Sequence, residues 1–274
     1  MRHSAVIIIC LLLCGFSLQP QPTTEFVEVS RIHASNIVHF TCDNMGNIYT
    51  ANTNGDIVKY NKVGKQVAVA NHKSLGNIHS IDASNPFEIY VFYKDQNKVL
   101  YFDNQLYTMG VTNLEDGSFF QLSATARSYD NQIWAFDLGD LKLKKIKRDL
   151  AVELSSGNVR EFVAGNGFAP FYIADVNHSV YLFDSTLGLF EFDNFGNYLR
   201  KITLSNAKQF FVMSGNLYFL KDNAVYQLNK EFLTERLIPV QNIPEQIDAF
   251  SLSPERLVLQ SGNALILYAP KNKN

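Results

Sequence analysis

Short runs in which apolar and polar residues alternate recur along most of the chain. Leu141-Lys142-Leu143-Lys144 and Phe190-Glu191-Phe192-Asp193 are two of them. Side chains of a β-strand point to opposite faces in turn, so a period of two predicts strands with one face toward a packed interior. No run of comparable length follows a helical period. The pattern therefore predicts an all-β protein.

One block of this pattern recurs six times. A turn rich in Asp, Asn or Gly leads into an apolar pair that ends in an aromatic or other large residue. The block ends at Tyr49, Tyr90, Trp134, Tyr181, Tyr218 and Val258, at spacings of 37 to 47 residues. A repeat of this period is typical of propellers and solenoids.

Each copy contains several strands. An apolar segment such as Ile37–Cys42 precedes the turn, and a second hairpin turn such as Asn54-Gly55-Asp56 follows it. A trailing strand closes most copies, for example Gln66–Val69. Four antiparallel strands per copy predict a six-bladed β-propeller.

The two ends of this repeat array predict how the ring closes. The sixth copy reaches only its third strand at Tyr268, and Glu25–Val29 is an additional strand before the first copy. If Glu25–Val29 completes the sixth blade, no blade edge is left open. We therefore expect the N-terminal strand to pair with the strand that ends at Tyr268.

The first copy also resembles an NHL-type repeat. Asp43-Asn44-Met45-Gly46-Asn47-Ile48-Tyr49 is followed by Gly55-Asp56-Ile57-Val58-Lys59-Tyr60 and Gly64-Lys65-Gln66-Val67. Phe190–Tyr198 is similar to the end of the same repeat, whereas the second and sixth copies lack the turn glycine. The resemblance implies the propeller fold and leaves the activity open, because one fold serves many functions.

The first 21 residues have the layout of a secretory signal peptide. Arg2 precedes the apolar run Ala5–Leu13, and small residues follow at Gly15 and Ser17. The run is too short for a permanent membrane span. We expect residues 1–21 to be a signal and residues 22–274 to be one exported propeller domain, either periplasmic, at the cell surface or secreted. Lipidation at Cys14 is the alternative, and it would anchor the protein to a membrane.

The composition and net charge limit the classes of molecule that we expect this protein to bind. The net charge is −2 and the isoelectric point is near 6.3, so nucleic acid is not an expected partner. Cys42 is the one cysteine outside the signal, which leaves no intramolecular disulfide. We expect a monomer that needs no cofactor.

A lysine-rich strand is the chain's main basic feature. Lys142, Lys144, Lys145, Lys147 and Arg148 alternate in part with leucines. We expect these basic side chains on a solvent face, where they discourage edge pairing.

No sequence motif for catalysis stands out. The clusters Asp43–Asn47 and Asp193–Asn197 have the residue types of metal ligands but lack a calcium-loop series, and Asp and Asn favour turns for backbone reasons. The histidines show no zinc spacing. Six-bladed lactonases hold a divalent cation at the channel mouth, so a metal-dependent hydrolase is the alternative to a non-catalytic module.

Propeller geometry places the candidate binding face. Each innermost strand begins at the end of the channel where the second and third strands of its blade connect, so polar residues from both positions share one surface. We call these residues the predicted rim: Asn36, His39, Asn77, His79, Lys94, Asp95, Asp137, Asp184, Lys221 and Asp222. The sequence thus predicts an exported binding or assembly module for an unidentified protein or small molecule.

Overall fold

A computed structural model describes residues 25–163, 167–204, 206–213, 215–229 and 231–271. Its strands form six separate four-stranded antiparallel sheets. Five sheets each take four consecutive strands, and the sixth combines the first strand with the last three. The predicted six-bladed β-propeller is confirmed. The predicted signal peptide, residues 1–21, lies outside the described residues, and so does the candidate lipidation site Cys14.

The blades are numbered by the repeat copies that form them. Blades 1 and 2 consist of β2 (Ile37–Cys42), β3 (Ile48–Asn52), β4 (Asp56–Tyr60), β5 (Gln66–Asn71), β6 (Ile78–Asp82), β7 (Ile89–Tyr93), β8 (Lys98–Phe102) and β9 (Thr108–Asn113). Blades 3 and 4 consist of β10 (Leu122–Arg127), β11 (Ile133–Asp137), β12 (Lys142–Ile146), β13 (Val152–Ser155), β14 (Tyr172–Val176), β15 (Ser179–Asp184), β16 (Gly188–Asp193) and β17 (Tyr198–Ile202). Blades 5 and 6 consist of β18 (Gln209–Met213), β19 (Asn216–Lys221), β20 (Ala224–Asn229), β21 (Thr234–Leu237), β22 (Ala249–Leu252), β23 (Leu257–Ser261), β24 (Ala264–Pro270) and β1 (Phe26–His33).

Helical structure in the described part of the chain is restricted to short 3-10 turns between strands, at Lys73–Leu75, Lys94–Gln96, Leu114–Asp116 and Val159–Glu161. None of these helices has the length or the apolar character that crossing a membrane requires.

The ring closes through the N-terminal strand. β1 pairs antiparallel with β24 from Phe26 opposite Pro270 to His33 opposite Ala264, with a bulge between Glu28 and Ser30. This pairing covers the edge of β24 that an open array would leave exposed. The predicted closure is confirmed.

The innermost strands meet around the central channel. Cys42 donates its backbone N–H to Ser251 Oγ at 3.0 Å, which links blade 1 to blade 6. Gln209 bonds the backbone of Phe250 in both directions, at 2.9 and 2.7 Å, which links blade 5 to blade 6. These contacts fix the ring independently of the apolar core.

The apolar core lies between the blades. Tyr49, Tyr90, Trp134, Tyr181, Tyr218 and Val258 each belong to a cluster of buried side chains that joins two neighbouring blades. Their exposed fractions are all 7% or less. The repeated large residue is therefore the side chain that packs each blade against the next.

The expectation for the lysine-rich strand is wrong at two positions. Lys144 and Lys145 are buried, with exposed fractions of 6% and 3%. Lys144 Nζ lies 2.8 Å from both Asp137 Oδ2 and Asp140 Oδ2, and Lys145 Nζ lies 2.6 Å from Asp130 Oδ2. The physical reason is that β12 is the third strand of its blade, covered by β13 and flanked by the neighbouring blades.

Candidate functional site

The Asp-Asn-Gly turns are built by their own carboxylates. Asp43 Oδ1 accepts hydrogen bonds from the backbone N–H groups of Met45 and Asn47, at 2.9 and 2.8 Å, and its Oδ2 accepts from the side chains of Asn47 and Tyr49. Gly46 takes a left-handed φ of 82°, which favours glycine at this position of the turn. In blade 4, Asp193 accepts the corresponding bonds from the backbone N–H groups of Phe195 and Asn197 and from the Asn197 side chain. These carboxylates therefore stabilise the turns.

The predicted rim residues lie at one end of the blades. In blade 1 the backbone N–H of Thr53 donates to the carbonyl of Asn36 at 3.0 Å. In blade 2 the N–H of Asn77 donates to Asp95 Oδ2 at 3.3 Å. Each contact joins the start of an innermost strand to the connection between the second and third strands, as propeller geometry requires. Whether this surface binds a ligand stays a prediction.

Two rim carboxylates face the backbone. Asp137 accepts hydrogen bonds from the N–H groups of Phe120, Gln121 and Gly139 at 3.0 to 3.1 Å, and it is fully buried. Burial alone would raise the pKa of Asp137, but the Lys144 ammonium and the backbone donors lower it. Asp184, at 5% exposure, accepts from the N–H groups of Ala169, Thr186 and Leu187. Both carboxylates hold loops in place.

The other rim residues remain more accessible. Asn36, Asn77, Asp95 and Asp222 are exposed, and Lys94 is partly exposed. Lys221 Nζ pairs with Glu235 Oε2 at 2.8 Å. The structure thus leaves the exposed polar groups of the rim on blades 1, 2 and 5.

His39 and His79 belong to innermost strands and are partly buried. His39 Nε2 lies 3.3 Å from the carbonyl oxygen of Ile81, and burial lowers its pKa to about 4. The His79 ring packs edge-on against Phe92 with 5.7 Å between centroids, and burial followed by the charge of Lys94 lowers its pKa as well. Both imidazoles are therefore neutral at pH 7.

The depressed pKa of His39 predicts an acid-sensitive step in stability. The unfolded chain, with an ordinary histidine pKa near 6.5, binds the proton before the folded protein does. The free energy of unfolding is therefore highest above pH 6.5 and falls between pH 6.5 and about 4, by up to about 3 kcal/mol. Urea unfolding at pH 7.0, 5.5 and 4.5 measures the slope of the free energy of unfolding against pH.

His39→Gln should flatten the slope, and the exposed His33→Gln is the matched control that should keep it. His79 contributes in the same direction, so some slope persists in the single variant. An unchanged slope in His39→Gln would contradict the assignment.

A cavity lies at the opposite end of the propeller, which we call the turn end because the first and second strands of each blade connect there. Its volume is about 260 Å³. It is lined by Ser84, Asn85, Arg127, Ser128, Tyr129, Asn131 and Asp175. Blades 2, 3 and 4 all contribute, and every lining residue has a polar side chain. We call it the turn-end cavity.

A network of ion pairs surrounds the turn-end cavity. Arg127 donates to Glu88 Oε1 at 2.8 Å, and Arg148 donates to the same oxygen at 2.7 Å. Lys145 Nζ pairs with Asp130 Oδ2 at 2.6 Å. Burial of Asp130 opposes its ionisation, but the Lys145 ammonium lowers the pKa of Asp130 overall. Each cation of this network is thus paired with a carboxylate, and Glu88 serves both arginines.

Tyr129 is the exposed aromatic of the turn-end cavity, with 63% of its surface accessible. Lys145 Nζ lies 4.7 Å from its ring centroid, and the His178 ring approaches edge-on at 6.3 Å. These neighbours hold an aromatic ring at the mouth of a polar cavity, an arrangement that suits ligand contact.

Asp175 anchors the wall from blade 4. Its Oδ2 accepts hydrogen bonds from Ser128 Oγ at 2.7 Å, Tyr129 N at 3.2 Å and Trp134 Nε1 at 2.8 Å. These bonds tie the exposed turn of blade 3 to the innermost strand of blade 4. This cavity was not predicted from the sequence, although an aromatic residue within the polar turn Ser128–Gln132 was a usable signal.

The described ranges contain no group of three or more His, Cys, Asp or Glu side chains that could hold a metal ion. The metal-dependent hydrolase remains an alternative to be tested by assay.

No protein-family model matches the sequence, and no curated protein matches it. Solved structures do match. A streptogramin B lyase is 12% identical, with a TM-score of 0.55, over 88% of this chain and 85% of that one. Virginiamycin B lyase from Staphylococcus aureus with quinupristin is 11% identical, with a TM-score of 0.57, over 88% of this chain and 96% of that one. The Pan2 WD40 domain of Neurospora crassa is 10% identical, with a TM-score of 0.57, over 93% and 98%. At these identities the likeness shows the propeller fold alone.

Proposed function

We propose that this chain is an exported, non-catalytic binding module that holds its ligand or partner at the turn end of the propeller. The observation that supports this most strongly is the turn-end cavity, a polar cavity of about 260 Å³ built by three blades around the exposed ring of Tyr129. Concave sites with a few fixed polar groups are where ligands find directional contacts.

The rigidity of the turn-end cavity favours recognition. Trp134 and Ser128 both bond Asp175, so the cavity wall is continuous with the buried core between blades 3 and 4. Binding to a preformed site loses less conformational entropy than binding to a mobile loop. The predicted rim is the competing surface, and Asp137 and Asp184 there are engaged by backbone groups.

Export rests on the sequence of the N-terminal segment. The basic start, the short apolar run Ala5–Leu13 and the small residues after it support a signal peptide. A signal would place the propeller in the periplasm, at the cell surface or outside the cell, with an anchor if Cys14 is lipidated.

Two matched variants test the binding face. The turn variant carries Tyr129→Ala and Asn131→Gly, and the rim variant carries Asn36→Gly, Lys94→Ala and Asp222→Gly. Glycine is chosen where φ is positive, at 64° for Asn131, 59° for Asn36 and 47° for Asp222, so that the turns stay unstrained.

We expect the wild type and the rim variant to capture the same partner from an extract of the source organism. The turn variant should bind this partner at least about tenfold more weakly, a loss of about 1.4 kcal/mol in binding free energy. Melting temperatures check that both variants are folded. Loss in the rim variant with retention in the turn variant would move the site to the predicted rim.

The hydrolase alternative has its own assay. A thermal-shift screen with divalent cations and a panel of esters and lactones should show neither stabilisation nor turnover. A cation-dependent shift accompanied by hydrolysis would replace the binding module with an enzyme.

A further inference from the structure

The outermost strands of blades 1 and 2 differ from those of the other blades. β5 and β9 contain no charged residue. The outermost strands of the other four blades all contain one or more: Glu153 in β13, Arg200 and Lys201 in β17, Glu235 and Arg236 in β21, and Glu28 and Arg31 in β1. Charges on an edge strand discourage a further strand from pairing with it. Blades 1 and 2 lack this protection.

A groove of about 380 Å³ follows β5 where blade 1 faces blade 2. It is lined by Val67, Ala68, Val69, Ala70, Asn71, His72, Gln105, Leu106, Tyr107 and Thr108. None of these lining residues is Asp, Glu, Lys or Arg.

The groove is open because β5 presents small side chains to blade 2. Ala68 and Ala70 pack against the core between blades 1 and 2. At three other junctions the outermost strand contributes a larger residue to the core, namely Leu154, Ile202 or Ile32. The smaller side chains of β5 therefore leave space at the outer edge of the junction between blades 1 and 2.

The far wall of the groove belongs to blade 2. Thr108 Oγ1 lies 3.2 Å from His72 Nε2, which joins the two walls. Val111 pairs with Leu100, a member of the core between blades 1 and 2, so Val111 shares the face turned toward blade 1. Tyr107, which lines the groove, is 72% exposed, so this wall offers apolar surface. Val111, 61% exposed, lies beyond the lining residues on the same face of blade 2.

The outer edge of β5 completes the surface. β5 is the last strand in the order β2-β3-β4-β5, so its outward N–H and C=O groups have no strand partner in the described chain. An extended peptide supplies matching backbone groups, as in strand addition to a sheet edge. A charged segment would lose hydration in the uncharged groove without gaining a partner.

We propose that the β5 edge and the adjoining groove bind an extended, uncharged segment of a partner protein as a fifth strand of blade 1. Backbone pairing supplies the affinity. Small apolar side chains at alternate positions enter the groove between Ala68, Ala70 and Tyr107.

Fluorescence anisotropy tests this with two labelled eight-residue peptides, one of alternating Thr and Val, the other with Lys replacing every Val. We expect the first peptide to bind the wild type at least about tenfold more tightly than the second. Ala70→Lys places an ammonium in the groove and should weaken binding of the first peptide by at least about tenfold. Val152→Lys, on the exposed face of β13, is the matched control and should leave binding unchanged.

Equal affinity for the two peptides, or unchanged affinity in Ala70→Lys, would overturn the proposal. So would sedimentation of the wild type as a dimer that Ala70→Lys converts to a monomer, because the occupant would then be a second copy of this chain. The turn variant should bind the peptide as tightly as the wild type does. A failed peptide test at the β5 edge is therefore distinguishable from a failed test of binding at the turn-end cavity.

Discussion

Deletion of residues 22–32 should abolish cooperative folding. The deletion removes most of β1, which pairs with β24 along nearly its whole length. It also removes Phe26 from the core between blades 5 and 6 and Ile32 from the core between blades 6 and 1. Each buried side chain of this size contributes about 1.5–3 kcal/mol, and a whole domain has only about 5–15 kcal/mol.

Urea unfolding followed by circular dichroism measures the effect. We expect the truncated chain to lose its sigmoidal transition, because both junctions of blade 6 are opened at once. Val29→Lys is the control, since Val29 is 49% exposed and the pairing remains intact. A truncated protein with the parent's midpoint and slope would contradict ring closure by β1.

Trp134→Ala should lower the free energy of unfolding by about 4 kcal/mol, in the range for large-to-small changes in a core. Trp134 is fully buried between blades 3 and 4, and its Nε1 donates to Asp175 Oδ2 at 2.8 Å. The substitution therefore leaves a cavity and removes one of the donors to a carboxylate that fixes the turn-end cavity.

Trp134→Phe separates these two contributions. It retains most of the packing and loses the hydrogen bond, so we expect a loss of about 1–2 kcal/mol. Phe195→Ala is the matched control, because Phe195 is 66% exposed and its truncation should change stability by less than about 0.5 kcal/mol. A loss below about 1 kcal/mol in Trp134→Ala would contradict the packing between these blades.

The sequence was sufficient to predict the fold because the repeat is a property of local pattern. The turn before each large residue and the hairpin after it are set by neighbours along the chain, as at Asp43 and Tyr49. The unpaired strand at Phe26 then left ring closure as the simplest way to complete the sixth blade.

The burial of Lys144 and Lys145 was not predictable in the same way. Alternation predicts one buried and one solvated face, but the third strand of a blade has a neighbouring blade on each side. Whether a lysine there is buried depends on partners elsewhere in the blade. For Lys145 the partner is Asp130, in the turn before β11, and for Lys144 it is Asp137, at the end of β11. The turn-end cavity has the same origin, because Asn85, Tyr129 and Asp175 come from three different repeats.

Site-specific photo-crosslinking distinguishes binding at the turn-end cavity from binding at the predicted rim. A photoreactive phenylalanine analogue placed at Tyr129 reports contacts at the turn-end cavity, and the same analogue at the partly exposed Lys94 reports contacts at the predicted rim. With the full chain in its source cells, we expect a discrete partner adduct from position 129 and none from position 94. An adduct from position 94 alone would contradict the proposed binding face.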